Sequence, residues 1–372
     1  MRADDESPIH LLLSHADDHR PTLEHGLPGA AIRDPAVETS ELAPLSFYDV
    51  GAAGNDLEQQ GWGVLAPTGD RGDAMLAAIA PLIAHRAAQQ GRPVRIYRVP
   101  PRMSASQAAR WRKQVFNIDE PEDIPYYQLL LGDLDELSAE LQQIQSLGGC
   151  VGRLAFTSLA DYESYAAKVL RWELAPPLVG PAPALFHTVH DGSAATTLGH
   201  RSLVAPVLSL AQDARSRARF PADIHPLGDS TDPSPDDLLT HVDAPGGLLF
   251  SLSHGDGAPR QGWLREQDRR SGQGAMSFGR AGSLRGDDLA ARPFMPGGVW
   301  FMFACYGAGT PDRSRFHHWL AHLAALGKFR GNVDAVLASL PRGDERPFVA
   351  DLPRTILANP EGPLAFIGHL DL

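Results

Sequence analysis

Two apolar runs of strand length, each stopping at a reactive side chain set among glycines, constrain this chain more than any other feature. The first is Gly246-Gly-Leu-Leu-Phe-Ser-Leu-Ser-His254-Gly255-Asp256-Gly257. The second is Gly298-Val-Trp-Phe-Met-Phe-Ala304-Cys305-Tyr306-Gly307-Ala308-Gly309. Neither alternates apolar with polar, so each reads as a strand covered on both faces, the habit of parallel sheets. In open sheets of that kind the working groups sit at the carboxyl ends of the strands. Two such strands side by side bring His254 and Cys305 to one edge.

The rest of the chain agrees with an α/β plan. From Gly61, strand runs (62–67, 94–99, 126–131, 150–156) alternate with helical patterns opened by Asp73, Ser104, Leu134 and a stretch carrying Tyr162, Tyr165, Val169 and Trp172. Pro176-Pro-Leu-Val-Gly-Pro-Ala-Pro183 excludes helix and central strand alike and marks a boundary. A second series then runs from Ala184 through the two constraining strands to a last strand at 363–368. The expected organisation is a mobile leader or surface arm over 1–45, a supporting α/β unit over 46–175, and a second α/β unit over 184–372.

Composition narrows the function. Lys and Arg number 33 against 45 Asp and Glu, a net charge of −12, which disfavours nucleic acid and anionic membrane surfaces as partners. Cys150 and Cys305 are the two cysteines, so no disulfide framework exists. The N-terminus has only a three-leucine run (11–13) in place of a signal-peptide core, and no stretch reaches the length of a membrane span. A reducing cytoplasm is the expected compartment. Cys150 enters an apolar strand and reads as core packing. The 15 histidines, His187, His190, His317 and His318 among them, lack the paired spacing of a structural zinc site, so no metal and no cofactor is expected.

An apolar strand ending in His-Gly, then about fifty residues later one ending in Ala-Cys, resembles the caspase/gingipain-like cysteine peptidases of clan CD. Phe303-Ala304-Cys305-Tyr306-Gly307 departs from the caspase pattern, and the two-unit layout is closer to the gingipain-type and CHAT branches. The resemblance implies the caspase-hemoglobinase-like fold: mainly parallel sheets flanked by helices in two consecutive α/β subdomains. It also implies an endopeptidase with Cys305 as nucleophile and His254 as proton carrier. The backbone N–H groups of Gly255 and Cys305 would receive the oxyanion, and the small run Gly307–Gly309 would leave the cleft open. The family's pocket lies between strand ends that here carry Asp191 and Asp371. Two carboxylates there would favour Arg or Lys before the scissile bond. Asp256 and Arg201 read as solvated charges.

A protein or peptide substrate is expected, with an activating protein partner and a role in defence or programmed cell death suggested by the CHAT likeness. The stretch 258–282, with Arg265, Arg269, Arg270 and Arg280, reads as a mobile activation or self-cleavage loop. Related chains continue past the last strand, which points to a processed or truncated form ending at Leu372. The rival readings are a noncatalytic peptidase-fold scaffold, a caspase-like preference for an acidic residue, and a small-molecule hydrolase or transferase using Cys305.

Overall fold

The computed structural model describes residues 8–27, 53–118, 124–328, 333–343 and 345–372. They divide between Ala175 and Pro176 into two compact units, but the split is not a simple succession, because residues 8–27 pack with the later unit. The described part of the expected mobile leader is therefore built into the fold. Its strand β1 (Leu13–His15) is buried at Leu13 and Ser14. Leu23 and Leu27 join an apolar cluster with Leu320 and Leu323. Residues 28–45 of that leader lie outside the described residues.

The 53–175 unit holds β2 (Trp62–Pro67), β3 (Arg95–Val99), β4 (Tyr127–Leu131) and β5 (Cys150–Leu154) in one parallel sheet of order β3-β2-β4-β5. Serines open three of the helices that follow the strands. Ser104 caps Ala105–Gln114 in a reciprocal box with Gln107, Ser138 caps Ala139–Ser146, and Ser158 caps Leu159–Leu174. The core gathers Leu65, Val99 and Leu130 under Trp111 and Phe116. Cys150, expected in this core, is exposed. It opens β5, an edge strand with only Leu154 fully buried, and an edge strand need not be apolar at its start.

The later unit is built on a five-stranded parallel sheet. Its strands are β6 (Ala182–Thr188), β7 (Ala222–Leu227), β8 (Leu248–Leu252), β12 (Val299–Phe303) and β15 (Ala365–Gly368), in the order β15-β12-β8-β6-β7. Between β8 and β12 the chain forms β9 (His254–Gly257), β10 (Met276–Ser277) and β11 (Ser283–Leu284), which with β1 make a second, smaller sheet of order β1-β9-β10-β11. A two-stranded ribbon pairs β13 (Gly309–Thr310) with β14 (Phe348–Val349). This is a mixed α/β fold of parallel sheets flanked by helices, consistent with the caspase-like layout.

The central pair is held face to face by Phe250 and Phe301, stacked at 5.0 Å and 7°. Trp300 donates its indole N–H to Ser251 at 2.8 Å, so the buried ring leaves no polar atom unpaid. Below the sheet, Trp300, Phe294, Met302 and Ile356 are wholly buried in one cluster. No helix among the described residues is long and apolar enough to cross a membrane.

The 258–282 stretch is not an open loop. Glu266–Gly272 is a helix, and Arg269 within it is buried and paired with Glu345 at 2.5 Å. A protease needs an extended, accessible backbone, so Arg269 is a poor cleavage point; its guanidinium, 5.3 Å over the Phe348 ring, keeps it in place.

Candidate functional site

β8 and β12 pair in parallel with Val299 opposite Leu248 and Phe303 opposite Leu252, a register offset of 51 residues. His254 and Cys305 are separated by the same 51 residues, so both lie two positions past the paired ends, at one carboxyl edge. There the chain departs from the expected single strand. β8 stops at Leu252, and His254 opens β9 in the smaller sheet. Ser253 N–H still bonds Phe303 O at 3.3 Å, while its hydroxyl donates to His254 O at 2.9 Å and turns the backbone.

His254 is completely buried and held from one side. Its Nε2 lies 2.9 Å from Ser193 Oγ and 3.4 Å from Asp191 Oδ2. Its Nδ1 makes no side-chain hydrogen bond, and the Leu12 backbone reaches the ring. Burial lowers the His254 pKa, with Asp191 and Asp256 opposing that shift. Cys305 is 3% exposed, and burial pushes its thiol well up. Burial thus disfavours the charged form of each group. Tyr306, next along, adopts φ 56°, a left-handed turn that costs a bulky residue about 1 kcal/mol or more and is held by Tyr306 N–H bonding Asp371 O at 2.8 Å.

The two amides expected to receive an oxyanion converge on one carbonyl of this same chain. Gly255 N–H donates to Leu12 O at 2.8 Å and Cys305 N–H donates to the same oxygen at 3.3 Å. Gly255 is demanded here: a Cβ on it would fall 1.8 Å from the Cys305 carbonyl oxygen. The Leu12 backbone also meets the Cys305 thiol and the His254 ring.

The carboxylates expected at a pocket mouth are elsewhere engaged. Asp191 is 5% exposed; Oδ1 accepts from Ser193 N–H at 3.0 Å and Thr196 Oγ1 at 2.7 Å, and Oδ2 faces His254. It stands behind the imidazole rather than in front of it. Asp371 accepts from Arg315 N–H at 2.9 Å and from Leu372 N–H at 3.0 Å, and burial raises its pKa. Both corrections have one cause: short turns offer backbone N–H groups that a carboxylate satisfies before any ligand arrives. Nor is the edge open at Gly307–Gly309, since Ala308 N–H is bonded to His369 O at 2.7 Å.

Asp256, expected as a solvated charge, is fully buried. Ser14 Oγ donates to its Oδ1 at 3.1 Å, Ser283 Oγ to its Oδ2 at 2.5 Å, and His19 Nδ1 lies 3.4 Å away. Arg201 is exposed, as a solvated charge should be. A cleft of about 1130 Å³ runs between the 15–25 hairpin and residues 258–266; neither His254 nor Cys305 is in its lining.

Sequence reasoning missed Ser193, Asp191 in its actual place, and Leu12. Ser193 had a signal, as the cap of Ala194–Gly199 that accepts from Thr196 N–H. Leu12 had none beyond the leucine run.

Fold and edge together define a mainly parallel α/β protein that sets a histidine and a cysteine at the carboxyl ends of adjacent strands. The fold is shared with a solved structure described as "Structure of Protease", at 14% identity and a TM-score of 0.50, over 87% of this chain and 60% of that one. The chain thus spans less than two thirds of that protein. No family model and no curated protein matches it.

Proposed function

We propose that the chain is a cysteine endopeptidase working through Cys305 and His254. One observation carries the reading: two backbone N–H groups, of Gly255 and Cys305, converge on a peptide carbonyl oxygen beside those two side chains. A site that grips a peptide carbonyl with two donors suits acyl transfer, because the same donors hold the oxyanion formed on attack. His254 takes the thiol proton as Cys305 Sγ attacks the carbonyl carbon, and it returns that proton to the amine as the C–N bond breaks. Water activated by His254 then splits the thioester. Asp191 and Ser193 fix the ring by Nε2, which leaves Nδ1 for these transfers. A peptide-shaped occupant at the edge favours this reading over a small-molecule hydrolase.

The test is covalent labelling of Cys305 by peptides carrying a thiol-reactive ketone, followed by intact mass, in wild type, Cys305→Ala and His254→Ala. Labelling lost in both variants supports the dyad. Labelling of Cys305 that is indifferent to His254→Ala would leave a merely accessible thiol and end the proposal.

A further inference from the structure

The occupant of the site is a segment of the chain itself, and its details go beyond a filled edge. Leu12 presents its carbonyl to Gly255 and Cys305, and the residues after it, Leu13 to His15, run as a strand paired in parallel with Gly255 to Gly257. Resting on the peptidase reading, we propose that Leu11–Ser14 occupies the enzyme's own substrate site with Leu12 in the position before the scissile bond. Incoming substrates must displace this segment and carry leucine or a similar aliphatic residue at that position.

The side-chain environment sets the preference. Leu12 is 8% exposed and belongs to an apolar cluster with Phe186, Ala195, Leu252, Cys305 and Tyr306. A guanidinium or carboxylate placed there would lose its hydration without gaining a partner, since Asp191 and Asp371 are already bonded to backbone and hydroxyl donors. Burying an aliphatic side chain contributes about 1.5–3 kcal/mol.

The segment is fastened on both sides of Leu12. Upstream, Ile9 and Leu27 exchange two backbone hydrogen bonds of 2.7 Å. Downstream, Ser14 is bonded to Asp256, His15 Nδ1 lies 3.1 Å from Ala258 O, and Asp18 accepts from Arg260 at 2.9 Å. A peptide bond held this way behaves as a plug rather than as a substrate: neither half can leave. Water is also excluded from the dyad, since Leu12, His254 and Cys305 are all buried. The same burial disfavours the charged forms of thiol and imidazole, which works against attack until the segment lifts. The turn 16–18 is the place to unfasten it, because Asp17 is exposed there.

The experiment uses the full chain with a recognition site for a sequence-specific protease inserted after Asp17, and separately Leu12→Gly, which keeps the backbone but removes the seated side chain. Peptidyl acyloxymethyl ketones bearing Leu, Arg or Asp next to the warhead are added, and the rate of Cys305 modification is read by peptide-mapping mass spectrometry. The expected result is slow labelling of the intact chain and at least a tenfold rise for the leucyl probe after nicking or in Leu12→Gly, with arginyl and aspartyl probes at least tenfold slower. Equal leucyl rates in the intact, nicked and Leu12→Gly proteins would overturn the occupancy, and a faster arginyl or aspartyl probe would overturn the preference. In both cases labelling that still requires His254 leaves the peptidase standing. No labelling by any peptide probe in the opened proteins, with iodoacetamide still modifying Cys305, sinks the peptidase reading itself and the occupancy with it.

Discussion

Ser193 Oγ lies 2.9 Å from Nε2 of His254, and the same hydroxyl accepts from Thr196 N–H at 3.3 Å to cap a helix. One side chain thus fixes the start of an element and the plane of the imidazole. Asp191, bonded to Ser193 N–H and facing His254, closes the group.

Removing that support lowers turnover without blocking binding. A hydrogen bond or a close carboxylate supporting the ring is worth about 1–3 kcal/mol, and 1.4 kcal/mol is tenfold in rate. Asp191→Ala is expected to lower kcat about ten- to a hundredfold with KM little changed. Ser193→Ala adds a loss of about 1 kcal/mol in stability through the missing cap. Steady-state kinetics on an opened enzyme, with thermal unfolding alongside, checks both.

Gly255→Ala tests the close approach of β9 to the end of β12. The new Cβ would overlap the Cys305 carbonyl oxygen, so the backbones must part. A loss of about 1–3 kcal/mol is expected, typical of overpacking, together with loss of activity in molecules that remain folded. Unchanged stability and rate would show that the two backbones are not in contact in solution.

Acid should destabilise the later unit through His187. This residue is 1% exposed, neither ring nitrogen has a partner, and burial lowers its pKa from 6.5 to about 4. Above pH 6.5 it is neutral folded or unfolded, so its titration adds no pH dependence there. Below 6.5 the unfolded chain takes the proton and the folded one does not, so stability falls until the pH reaches about 4, by about 3 kcal/mol in all. His187→Leu should flatten that part of a denaturation-versus-pH curve.

The N-terminal hairpin is latched by His19 on Asp256. That contact raises the His19 pKa, helped by Asp18 and opposed by burial and Arg285, with Ser283 also bonded to the carboxylate. A raised value means the charged latch is complete below 6.5 and weakens as pH rises through the shifted pKa. Labelling of Cys305 in the intact chain should therefore quicken with rising pH by more than thiol ionisation explains. His19→Ala should remove that excess and speed labelling most at pH 6.

The two thiols should differ sharply toward a small alkylator. Cys150 is exposed at its strand start and Cys305 is buried. Iodoacetamide is expected to modify Cys150 at least tenfold faster in the intact chain, with Cys150→Ser leaving stability within about 0.5 kcal/mol of wild type.

The alternating series, the buried runs and the serine cap at Ser104 could be read from residues alone, because helix and strand periods and cap chemistry are local. The juxtaposition of His254 with Cys305 was also legible. Their separation of 51 residues equals the register offset of β8 and β12, and both runs are apolar enough to belong to a covered sheet. The roles of Asp191, Asp256 and Asp371 were not legible, since a carboxylate in a turn looks the same in sequence whether it meets water, a backbone N–H or a histidine. Least visible was the seat of Leu12, more than 240 residues from Gly255. An N-terminal strand joins a sheet through backbone groups that every residue carries, so nothing in its side chains names the partner. The sequence by itself determined the α/β plan and the paired edge; only the tertiary structure decided that the edge is closed by the chain's own leucine.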